Sequence, residues 1–175
     1  SIFYSQCYNL IVNDLTFDFE STNNRQKNFR AALLGPEGSA TFNNCIFTGT
    51  GFTTNSPNGH AILAEDNVES VVFDGCTFTD CGDKPGEYAI LSTAFDLQFS
   101  DSTIKYTNPL HSSGGLKCTK WCKLTVTGSL FKNIYANNTK EGGGICYNPD
   151  MNGAVLRCDV TLTGTTFDNM MSKNG

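Results

Sequence analysis

Charge is what this 175-residue chain has least of: 12 Lys and Arg against 17 Asp and Glu, 17% of the residues. With so few cations and a formal net charge of -5, the sequence argues against nucleic acid as a partner, because phosphate contacts need clustered Lys and Arg. Charge this sparse also cannot hold the chain unfolded by self-repulsion. No apolar run approaches the roughly 18 to 20 residues that cross a bilayer as a helix, so no membrane span is expected. No close CxxC pair is present, and the tightest spacing is Cys118 with Cys122, which speaks against a zinc site. The opening Ser1-Ile2-Phe3-Tyr4-Ser5-Gln6-Cys7 has neither an initiator Met nor a signal-peptide pattern. The expectation is a processed chain or an internal piece of a longer one.

Glycine (17), Phe (13) and Cys (8) are what the chain does hold. Eight cysteines suggest disulfides formed in an oxidising compartment. The sequon Asn137-Asn138-Thr139 makes Asn137 a glycosylation candidate. Both fit an extracellular or cell-surface, secreted location.

Repetition settles the fold class. Six segments share one pattern: Leu10–Phe17, Ala40–Phe47, Val71–Phe78, Leu97–Ile104, Leu124–Phe131 and Val160–Phe167. Their starts near 10, 40, 71, 97, 124 and 160 are 30, 31, 26, 27 and 36 residues apart. An uneven period of this size describes a solenoid with loops of varied length on a constant frame. Within each segment the first, third, sixth and eighth positions are mostly apolar. That spacing is two short strands, each alternating with period two, that meet at a bend. The second bend residue is Asp14, Asn44, Gly75, Asp101, Gly128 or Gly164, the residue types that best tolerate a left-handed backbone.

A third strand follows in five repeats, at Ala31–Leu34, His60–Leu63, Tyr88–Leu91, Gly114–Lys117 and Gly143–Cys146. The apolar column expected there is Leu33, Ile62, Ile90, Leu116 and Ile145. A column of small residues, Ala32, Ala61, Ala89, Gly115 and Gly144, precedes it. A β-sandwich could supply short strands, but it does not call for one column to recur six times with the same bend chemistry. The reading is all-β: a single domain over 1–175, a right-handed parallel β-helix of about six coils of three short strands.

Gly142-Gly-Gly-Ile145, Gly59-His-Ala-Ile62 and Ser113-Gly-Gly-Leu116 resemble the GGAI element of chlamydial polymorphic outer-membrane proteins. Phe42-Asn-Asn44, Phe131-Lys-Asn133 and Phe167-Asp-Asn169 resemble the companion FxxN element, and the pattern is similar to repeats in large protist surface proteins. The resemblance implies a surface β-helix and adhesion. It supplies no catalytic residue.

Pectate-lyase-like enzymes share this fold, so an enzyme fragment is the alternative to weigh. Their chemistry needs carboxylates and a base converging on one sheet. The outward positions here are Ile11, Thr41, Val72, Gln98, Thr125 and Thr161, then Thr16, Ile46, Thr77, Thr103, Leu130 and Thr166. None is charged, and a non-catalytic scaffold follows. Thr41, Val72, Thr125, Thr161, Thr77, Thr103 and Thr166 are the candidates for an assembly face. Ranks of Thr also suggest an ice-binding solenoid as a minor alternative, although Ile, Val, Leu and Gln interrupt them.

Asp14, Asp74 and Asp101 line the bend edge, as turn formers first and a calcium edge second. No other cofactor is expected. His60 and His111 have no partner at triad spacing. Trp121 reads as turn packing, and Lys117, Lys120 and Lys123 as a solvated basic spot. Polar loops at 18–30, 48–59, 79–87, 105–113 and 132–142 leave from one side and suit a protein or glycan ligand.

Cys122 and Cys158 each lie two residues before a first strand, and Cys118 and Cys146 follow third-strand apolar residues. The pairings expected are 122–158 and 118–146. Cys45 and Cys76 share an inward column and are expected as buried thiols. Ile2-Phe3-Tyr4 reads as strand. Val160, Leu162 and Phe167 have no layer beneath them, so self-association or neighbouring coils are expected at the open ends.

Overall fold

The computed structural model describes residues 3–5, 8–18, 32–35, 37–49, 61–64, 67–81, 88–107, 114–119, 122–136, 143–148 and 159–172. They form a parallel β-solenoid of three six-stranded sheets, with no helix among the described residues. Strands are numbered in chain order. The sheet of first strands holds β2 (Asn9–Asn13), β5 (Ser39–Asn43), β8 (Ser70–Asp74), β11 (Asp96–Ser100), β14 (Lys123–Thr127) and β18 (Asp159–Thr163). The sheet of second strands holds β3 (Thr16–Asp18), β6 (Ile46–Thr48), β9 (Thr77–Thr79), β12 (Thr103–Lys105), β15 (Leu130–Lys132) and β19 (Thr166–Asp168). The sheet of third strands holds β1 (Phe3–Ser5), β4 (Ala32–Leu34), β7 (Ile62–Ala64), β10 (Tyr88–Ser92), β13 (Gly114–Thr119) and β17 (Ile145–Asn148). Each strand pairs in parallel with its equivalent one repeat away.

Phenylalanine forms the core because each layer has too little apolar surface to fold alone, and stacked rings make it continuous. Phe17, Phe47, Phe78, Ile104, Phe131 and Phe167 align in register along the second strands. The Phe47 and Phe78 rings stack with centroids 4.4 Å apart, and Phe131 and Phe167 at 5.2 Å. A second column from the first strands, Phe42, Phe73 and Phe99, packs edge-on or tilted against it. Burying each ring is worth about 2 to 3 kcal/mol.

All six second bend residues have positive φ, from 46° at Asp101 to 63° at Gly75. The turn therefore needs a residue that sits in the left-handed region at little cost. A side chain on Gly128 would also strike Asp101, whose Oδ1 lies 2.2 Å from the position a Cβ would take. At Gly115 the obstacle is backbone: a Cβ would come within 2.5 Å of the Gly144 carbonyl, which keeps that column small.

Two expectations about strands are corrected. In the third-strand sheet Ala32, not Leu33, stands opposite Ile62, while Leu33 stands opposite Leu63. Ala31-Ala-Leu-Leu34 is apolar at both parities, so period two could not fix a one-residue shift. Leu34 is buried. The stretch 132–142 is not all loop, because β16 (Tyr135–Ala136) pairs with β20 (Met171–Ser172) in a fourth, two-stranded sheet. The strand expected at Ile2-Phe3-Tyr4 is present as β1, paired with β4.

Candidate functional site

The outward face of two sheets is the first surface of interest. Ile11, Thr41, Val72, Gln98, Thr125 and Thr161 lie in one register column. Thr16, Ile46, Thr77, Thr103, Leu130 and Thr166 lie in the other. The structure therefore brings every assembly-face candidate into two adjacent ranks without an ionisable group. Charged residues flank the ranks at Asp96, Lys123 and Asp159 on one side and at Lys105, Lys132 and Asp168 on the other. The Lys132 Nζ donates to the Asp168 carboxylate at 2.6 Å.

The bend edge carries amide chemistry in addition. Asn43 Nδ2 donates to Asn13 Oδ1 at 2.8 Å, and Asn44 Nδ2 to Asp14 Oδ1 at 3.2 Å. Asp14 and Asp101 share a bend column, with Asn44 and Gly75 between them, so they stand about 14 Å apart. Asp74 belongs to the neighbouring column. Carboxylates so placed do not converge on one cation, and no cluster of three metal-ligating side chains occurs among the described residues.

Behind the bend runs the sixth-position column, read from the sequence as mostly apolar but holding three hydroxyls: Leu15, Cys45, Cys76, Ser102, Ser129 and Thr165. Its thiols and hydroxyls face backbone carbonyls of their own and the preceding layer. Cys76 Sγ lies 3.2 Å from the Phe42 carbonyl oxygen and 3.6 Å from that of Asp74. Ser129 Oγ does the same with Phe99 and Thr127, at 3.1 and 2.9 Å. Cys45 and Cys76 are buried free thiols, as expected. Burial pushes the Cys76 thiol up to about 12.

A second left-handed bend was also missed in the sequence. Gly49, Asp80, Asn133 and Asn169 all have positive φ just after the second strand. Gly49, Asp80, Asn133 and Asn169 each stand two places after a Phe, which is the signal that would have found them. In the same column Tyr106 is buried, and its hydroxyl meets the Cys81 and Gly114 carbonyl oxygens.

The disulfide pairing of Cys118 with Cys146 is not formed. Register places Cys118 opposite Tyr147 and Cys146 opposite Lys117, so a one-residue offset keeps the two from facing each other. Cys118, Cys122 and Cys146 are free and buried. Cys158, Cys7, Asn137, His60, His111, Lys120 and Trp121 lie outside the described residues, as do most of the proposed binding loops. Lys117 is not simply solvated, because its ammonium lies 5.4 Å from the centre of the Tyr88 ring.

The last repeat differs from the others in exposure. Val160, Leu162 and Phe167 occupy core columns yet are 44%, 49% and 43% exposed. Their neighbours one layer in, Leu124, Val126 and Phe131, are each 0% exposed. At the other end Val12 and Phe17 are covered.

Fold and surface together define a parallel β-solenoid with two uncharged ranks and a half-exposed core in its last described repeat. No family model, no curated protein and no solved structure matches the chain. Among the described residues no helix is long and apolar enough to cross a membrane.

Proposed function

We propose that the chain is a non-catalytic extracellular or cell-surface β-helix scaffold, acting in adhesion or structural assembly. The observation that carries this reading is the half-exposed core of Val160, Leu162 and Phe167 on the edge strands β18 and β19. An apolar edge with unpaired backbone groups is a template for another strand layer, and in a solenoid the fitting occupant is a further coil. The Thr-rich ranks add a flat second contact surface. Resemblance to GGAI and FxxN surface repeats supports the location and the adhesive role. The sequon at Asn137 supports the location too, whereas the free state of the six described thiols lends it nothing.

Sedimentation velocity over a wide concentration range tests the proposal. Association that grows with concentration, and that Leu162→Lys weakens, is the expected result. A monomer at every concentration, with slow amide exchange in β18 and β19, would overturn it.

A further inference from the structure

We draw no further inference here: the strongest candidate, the exposed apolar patch of Ile11, Leu15 and Ile46 beside the bend in the first two repeats, carries nothing because nothing in the structure shows what covers it.

Discussion

At the scale of single residues, the column behind the bend shows how one position solves one problem with three side chains. Cys45 and Cys76, Ser102 and Ser129, and Thr165 all turn a weak or strong donor toward carbonyls that the bend leaves at the core boundary. A buried acceptor without a partner costs about 1 to 3 kcal/mol, so the donor matters more than the element carrying it. A consequence follows for pH. The Cys76 thiol ionises near 9.0 when unfolded and is pushed up to about 12 by burial. Its proton is thus held more tightly in the folded state. The associated stability is fully present below pH 9 and is lost as pH rises toward 12, with a slope of at most about 1.4 kcal/mol per pH unit. Denaturant melts from pH 8 to 11 should show that fall, and Cys76→Ala should flatten it while lowering stability throughout.

Strands and bends set the next scale. Gly128→Val places a β-branched residue at φ 59° and against Asp101, and it should destabilise by more than about 1 kcal/mol. Thr127→Ala, one residue earlier and exposed, should cost less. Equal, small shifts in the denaturation midpoint would mean that the bend does not depend on its left-handed residue. This bend was legible in the sequence because six Gly, Asn or Asp residues recur at one offset between apolar pairs. The second bend was not, since Tyr106 interrupts Gly49, Asp80, Asn133 and Asn169 and everything after the eighth position reads as loop. The slip at β4 has another origin: where neighbouring residues are all apolar, alternation cannot say which parity faces inward. The outward ranks could be read because Thr, Ile and Val alternate there with buried residues.

At the scale of the whole molecule, the ranks on two faces bear on catalysis. Acid–base cleavage of a polyuronate needs ionisable groups converging on one site, and the charges nearest the ranks lie along their two margins. Purified protein incubated with pectin and other polyuronates should release no unsaturated product. Release of such product, lost with a margin variant such as Asp96→Asn or Lys123→Met, would replace the scaffold reading with an enzymatic one.

The in-register pairing also carries an evolutionary and engineering consequence. Every β2-type and β3-type strand meets only its counterpart in the adjacent repeat, so a deletion spanning residues 71–96 would bring β5 directly onto β11. Phe42 would then neighbour Phe99, as Phe73 does now, while Asn44 Oδ1, 2.6 Å from where a Cβ on Gly75 would stand, would have to turn aside for Asp101. A one-residue deletion inside β8 would instead turn the rest of that strand inside out. A ladder of this kind can change length in whole rungs, and genes encoding it are free to grow or shrink by duplication while single-residue insertions are confined to the connections between rungs.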